Sequence, residues 1–259
     1  MPMIDANGAT LHVEIEGPAG APVLMLSNSL GTDLHMWDPQ MEALAKSFRV
    51  IRYDRRGHGR SSVPRGPYSM EMFGRDALGI LDALKIEKIS WLGLSMGGMV
   101  GQWLGANAAG RIERLILSNT SSYYENKTPW NDRIALVREK GLGAIADNIM
   151  KVWFTADFHA RDPETVARMK AIMLKIPVDG YVACCEAVRD MDHRDLLARI
   201  APPTLVIAGL KDPATPVETA EFIRARVPGA KLALIDAAHI ANVEQPKAYT
   251  QAVMDFLSA

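Results

Sequence analysis

The chain has 259 residues, a formal net charge of −1 and 48% hydrophobic residues, which suits a globular protein with one sizeable core, either a single large domain or a domain carrying an insertion. That charge balance gives no electrostatic ground for a nucleic-acid or anionic-membrane partner. Two adjacent cysteines, Cys184 and Cys185, are too few for a disulfide framework, and no Cys/His spacing suits a metal, so reduced, partly buried thiols are expected.

The opening stretch MPMIDANGATLH lacks the basic-then-apolar pattern of a signal peptide, and a cytoplasmic location is expected. Asn7-Gly8 between MID and TLHVEIE reads as a hairpin turn, so the chain should begin with antiparallel strands. Short apolar runs of buried-strand length follow at 23–27, 48–53, 88–94, 114–119, 204–209 and 231–236. Helical patterns lie between them, among them 69–85, 216–227 and 246–259. Strand alternating with helix implies an α/β fold with a mostly parallel sheet covered on both faces.

The loop RYDRRGHGRSS gathers Arg52, Arg55, Arg56 and Arg60. It fits neither a dinucleotide-binding nor a P-loop pattern, and is expected to be a rigid loop with Asp54 pairing to arginines. No cofactor is implied. From about Ser121 to Ala198 no strand pattern appears, only helical stretches such as RIALVREKGLGAIADNIMKVWF. The expected organisation is a core of residues 1–120 and 199–259 with a helical cap insertion at 121–198, placed where open α/β sheets bind ligands.

Residues Trp91 to Gly110 carry no charge over twenty positions, long enough to span a membrane. Glycines at 93, 97, 98, 101, 105 and 110, with Ser95, Gln102 and Asn107, make a poor lipid-facing helix. Two elements joined by a tight turn fit better. Gly93-Leu94-Ser95-Met96-Gly97 matches Gly-x-Ser-x-Gly between a strand and a helix, the setting of a nucleophile elbow. The serine must take a strained backbone there, and its neighbours two positions away must be small. Gly97, Gly101 and Gly105 should let the helix pack closely on the sheet.

A serine hydroxyl needs a base, and the base a carboxylate to orient it. On such an elbow the acid and then the histidine follow in chain order. Of six histidines, only His239 lies in a short loop between the last strand and the last helix; His12, in the opening strand, reads as a surface residue. Asp212 follows the strand at 204–209 and is the expected acid, with Asp236 the alternative. The oxyanion hole needs two amide donors: Met96, just after the nucleophile, and Leu30 in the NSLG loop, a stretch that also reads as a simple turn.

These segments resemble the α/β-hydrolase superfamily and, within it, the 3-oxoadipate enol-lactonases. LSNSLGTDLHMWDPQ, FRVIRYDRRGHGRSS, GLSMGGMVGQWLG, DPATP and AAHIANVEQP carry the likeness, and PWNDRI, VWFTADF and GYVACCEAVRDMD extend it into the cap. Arg55 stands where threonine is the family's choice. The resemblance implies hydrolysis of a carboxylate-bearing lactone to 3-oxoadipate in bacterial aromatic catabolism. Such a substrate calls for a cation in an apolar cap. Arg133 is the candidate, since a guanidinium holds a carboxylate bidentately, although it also reads as a surface helix arginine. Trp130 and Trp153 line the pocket or form the cap's core. The same scaffold also fits a carboxylesterase, another lactonase or a perhydrolase. A receptor that keeps the triad is the reading from a different class. Oligomeric state is not encoded in any of these motifs.

Overall fold

The computed structural model describes residues 2–259. Eight strands, β1 (Met3–Ala6), β2 (Ala9–Glu16), β3 (Val23–Ser27), β4 (Arg49–Tyr53), β5 (Ile89–Leu94), β6 (Ile112–Ser118), β7 (Thr204–Gly209) and β8 (Lys231–Ile235), form one sheet. Their spatial order is β1-β2-β4-β3-β5-β6-β7-β8. The β1–β2 and β2–β4 pairings are antiparallel, and β4 through β8 run parallel to one another. Asn7 and Gly8, both at positive φ (49° and 76°), make the opening hairpin turn, since two such residues match the twist of the strands they join. Every residue of β5 and of β7 is buried, as a parallel sheet covered on both faces requires.

The helices follow from the strand order. Helix α1 (Asp38–Ser47) joins β3 to β4 in one direction across the sheet, and α2 (Met70–Ala83) joins β4 to β5 in the other. Right-handed crossovers therefore put them on opposite faces. The chain reverses direction at β3, so the carboxyl ends of β3 and β5, with Ser27 paired to Gly93, bound a crevice at the switch point, where ligands of open α/β sheets bind. Helix α3 (Met96–Asn107) packs on β5 and β6. It can do so because a Cβ at Gly101 would stand 2.7 Å from Trp91 Nε1, and one at Gly105 2.8 Å from Leu115 Cδ2.

Between β6 and β7 the described residues hold five α-helices and no strand: α4 (Thr128–Lys140), α5 (Gly143–Trp153), α6 (Ala156–Arg161), α7 (Pro163–Leu174) and α8 (Val178–Asp190). The long helical pattern through RIALVREKGLGAIADNIMKVWF is two helices, because Gly141 at φ 72° ends α4. After β7 come α9 (Val217–Arg226), the one-turn α10 (Ala241–Glu244) and α11 (Pro246–Ser258). The uncharged stretch at 91–110 is shared between β5 and α3, and no helix among the described residues is long and apolar enough to cross a membrane.

Two expectations need correction. His12 is buried, not on the surface: the loop after β4 folds over β2, where Ser61 Oγ accepts from His12 N and Asp54 Oδ2 bonds His12 Nδ1, both at 2.9 Å. Near the end of β4 Arg52 pairs with Glu14, Glu16 and Asp38, and in the loop Arg56 pairs with Asp76. The Asp54 carboxylate accepts the amides of Leu34 and Arg60 along with the His12 ring. Cys184 and Cys185 are free and fully buried rather than partly so; burial pushes the Cys185 thiol up to about 12, which leaves it unreactive.

The close contact at Gly101 gives a stability prediction. Gly101→Val overpacks α3 against Trp91 and should cost about 1–3 kcal/mol in urea unfolding. Gly143→Ala, at a position with nothing within 4 Å of the added carbon, should stay within about 1 kcal/mol of the parent.

Candidate active site

The strand–turn–helix at Ser95 forces an unusual backbone. Ser95 lies at φ 56°, ψ −116°, a region that strains a non-glycine residue by roughly 1–3 kcal/mol. Its amide donates to Ser118 O at 2.8 Å, and the Gly97 amide to Asn28 O at 3.1 Å. A Cβ on Gly93 would fall 2.1 Å from Gly97 O, and one on Gly97 2.1 Å from Ser27 O. Both glycines are thus sterically required.

Asp212 and His239 follow β7 and β8, whose last residues Gly209 and Ile235 are paired neighbours. The structure brings both to Ser95. Ser95 Oγ and His239 Nε2 are 2.9 Å apart, and His239 Nδ1 lies 2.9 Å from Asp212 Oδ2. With Nδ1–H donating to the carboxylate, Nε2 is left to accept the serine proton. Asp212 also accepts from Thr215 Oγ1 (2.6 Å), Asn119 Nδ2 (3.1 Å), Ala214 N (2.8 Å) and Thr215 N (3.1 Å). Burial on its own would raise this carboxyl, but the His239 charge and the hydrogen bonds from His239, Thr215 and Asn119 hold it below the ordinary aspartate value. Asp236, the alternative acid, is exposed and paired with Lys211 at 2.8 Å.

The loop after β3 is pinned at nearly every polar atom. Asn28 accepts from Trp37 Nε1 and donates to Tyr53 O, both at 2.9 Å, and its carbonyl also accepts from Arg55. The Ser29 amide reaches Met36 Sδ at 3.2 Å, and the Gly31 amide donates to His58 Nε2 at 3.1 Å. His58 is buried, and desolvation keeps it neutral by holding its pKa well below the usual histidine value. Between these bonded amides, those of Leu30 and Met96 have no protein acceptor among the described residues.

A cavity of about 320 Å³ opens over Ser95 and His239, floored by Ser29, Leu30, Pro213 and Ala214. Its other wall comes from the segment between β6 and β7: Tyr124, Trp130, Arg133, Ile149, Trp153 and Tyr181. Arg133 lies 4.6 Å over the Trp130 ring, and its charge opposes the rise that burial gives the Tyr181 hydroxyl. That segment is tied to the histidine loop, since Ile240 N donates to Trp153 O at 3.0 Å. Buried Glu244 takes the Ala238 amide at 2.9 Å and the Thr155 hydroxyl. Among the described residues no group of three His, Cys, Asp or Glu side chains lies close enough to hold a metal.

Sequence reasoning missed Asn119, Thr215, Tyr181 and Glu244. Asn119 had a signal: a polar SNTS run that starts on the last residue of the apolar β6, at the carboxyl edge where ligands bind. Tyr181 had none, being one aromatic among several in the helical segment.

The 3-oxoadipate enol-lactonase 2 of Acinetobacter baylyi is 40% identical over 250 residues, 96% of this chain and 94% of that protein. The 3-oxoadipate enol-lactonase 1 of the same organism is 37% identical over 98% of this chain and 95% of its own length. The crystal structure of the enol-lactonase from Burkholderia xenovorans LB400 superposes with a TM-score of 0.98 at 42% identity, covering 100% of both chains. The family model described as alpha/beta hydrolase fold matches residues 22–246. With that model matching most of the chain and relatives 37–40% identical across nearly all of it, the chain belongs to the α/β-hydrolase family.

Proposed function

We propose that this chain is a serine hydrolase that opens the ring of 3-oxoadipate enol-lactone to give 3-oxoadipate. The observation that carries the reading is the unbroken run of 2.9 Å hydrogen bonds from Ser95 through His239 to Asp212, opening onto a cavity that also holds Arg133. The likeness to the two Acinetobacter enol-lactonases across nearly the whole chain supports the substrate.

In this reading Ser95 Oγ attacks the lactone carbonyl while His239 Nε2 takes its proton, and Asp212 steadies the resulting imidazolium. The Leu30 and Met96 amides donate to the oxyanion of the tetrahedral intermediate. Collapse breaks the ring C–O bond as the His239 imidazolium gives its proton to the departing oxygen, and leaves an acyl group on Ser95. The leaving oxygen is an enol, which tautomerises to the ketone and draws ring opening forward. Water, deprotonated by His239, then attacks the acyl carbon and frees the acid.

Residues 121–198 act as a cap over a core of 1–120 and 199–259. The cap walls the cavity with Trp130 and Trp153 and limits water, which strengthens each charge interaction inside. Arg133, backed by the Trp130 ring, holds the free carboxylate of the substrate. The partner is thus a small carboxylate-bearing lactone, and no step calls for a cofactor.

Two measurements test this. Purified protein should prefer 3-oxoadipate enol-lactone strongly over p-nitrophenyl acetate, and Ser95→Ala should lower kcat on both by roughly 10³-fold or more; near-parental turnover by the variant would remove the mechanism. Arg133→Ala should raise KM for the lactone by about 10- to 100-fold, the worth of a hydrogen bond to a charged group, and change p-nitrophenyl acetate by about twofold at most. Equal losses on both substrates would take Arg133 out of the carboxylate site.

A further inference from the structure

Each amide that faces the oxyanion belongs to a peptide unit whose carbonyl is at the other end. For Leu30 N–H that carbonyl is Ser29 C=O, and for Met96 N–H it is Ser95 C=O. Both carbonyls accept a buried threonine hydroxyl: Thr32 Oγ1 donates to Ser29 O at 2.9 Å, and Thr120 Oγ1 to Ser95 O at 2.7 Å. Neither threonine is exposed by more than 2%. They lie far apart in the chain, one in the loop after β3 and one after β6, yet they make the same contact on the back of the two peptides. We propose that Thr32 and Thr120 are a matched pair of positioning residues that orient and polarise the two oxyanion-hole peptides; the proposal rests on the serine-hydrolase reading above.

The physical basis is the coupling of donor and acceptor across one amide. A hydrogen bond into the carbonyl draws electron density from the N–H, making it a stronger donor, an enhancement of about 10–30% per bond. It also fixes the peptide plane, so that no reorganisation is needed when charge develops on the substrate oxygen. Thr32 has one hydroxyl proton and two neighbours, Ser29 O at 2.9 Å and Met36 Sδ at 3.0 Å. The thioether is the weaker acceptor, so the carbonyl takes the proton. Ser95 O carries two bonds, one from Thr120 and one from the Met99 amide at 3.1 Å in the first turn of α3, which uses both of its lone pairs.

Gly98 supplies a second observation. The elbow requires Gly93 and Gly97 and makes no demand on the next position. A Cβ at Gly98, however, would stand 2.7 to 2.8 Å from the Cβ, Cγ2 and Oγ1 of Thr120. The second glycine of the Met96-Gly97-Gly98 run is therefore what lets Thr120 reach the Ser95 carbonyl.

The test compares Thr32→Val, Thr120→Val and the double variant with Thr32→Ser and Thr120→Ser. Kinetics on the lactone and on p-nitrophenyl acetate are measured beside inhibition by phenylboronic acid, which forms a tetrahedral adduct on a reactive serine, and by adipate, which has no tetrahedral centre. Each Val variant should lower kcat about fivefold and weaken phenylboronic acid by the same factor, with KM and adipate inhibition unchanged. The double variant should lose more than either single variant, up to the roughly 25-fold that independent sites would give, and the Ser variants should recover near-parental values. Should the added methyl disturb folding, Thr32→Ala and Thr120→Ala remove the hydroxyl without it and carry the same expectation. Unchanged kcat and boronate inhibition in the Val or Ala variants would overturn the proposal. So would a loss shared equally by adipate and not restored by serine. Failure of the underlying reading shows separately, as a parent protein that phenylboronic acid does not inhibit.

Discussion

Ser95 is held at positive φ at the junction of β5 and α3, and the other parts of the site are arranged around that strain. A cost of roughly 1–3 kcal/mol persists only if the surroundings over-determine the conformation. The Ser95 amide is bonded to β6 through Ser118 O, and the first turn of α3 to the β3 loop through Gly97 N and Asn28 O. Gly93 and Gly97 leave room for no side chain. The elbow is thus stitched to strands on both sides of β5. It also presents the amide end of α3 toward the site, where the helix dipole favours developing negative charge.

The sheet converts that local constraint into a catalytic geometry. Because β3 and β5 are paired neighbours at the switch point, the loop after β3 and the elbow meet by default. Because β7 and β8 end in register, the loops bearing Asp212 and His239 lie side by side. A carboxylate that is buried this deeply needs its hydrogen-bonding capacity filled, and the Asn119 side chain, the Thr215 hydroxyl and the amides of Ala214 and Thr215 do so together with His239. The fill keeps Asp212 ionised and the imidazole in one tautomer. Glu244 and Trp153 O then couple the histidine loop to the helices over the cavity, so the two walls of the pocket are not independent.

Much of this was legible in the sequence, for a physical reason. The strands of a parallel sheet buried on both faces are continuous apolar runs, and the runs at 23–27 and 204–209 are β3 and β7 with no change of boundary. The elbow, Asp212 and His239 were findable because the fold orders them along the chain. Residues whose position depends on register were not. Asn119 and Thr120 are ordinary polar loop residues until neighbouring strands bring them to Asp212 and to the Ser95 carbonyl, while Thr215 and Thr32 bond three residues back in their own loops and read in the sequence as plain turn residues. His12 was misread because the loop at 54–62 covers β2 only after folding, and nothing local in TLHVEIE announces that cover. Arg133 came from the likeness to a family, since composition alone left it a surface arginine.

The claim at the centre of this account is that Ser95 is the activated nucleophile of the chain, and the most direct measurement is covalent trapping. Diethyl p-nitrophenyl phosphate, a phosphorylating agent selective for activated serines, should add one diethylphosphoryl group per chain by intact mass spectrometry. Peptide mapping should put it on Ser95, with activity lost in step with labelling. A protein that loses no activity, or that is labelled at another residue while turnover continues, would contradict the account.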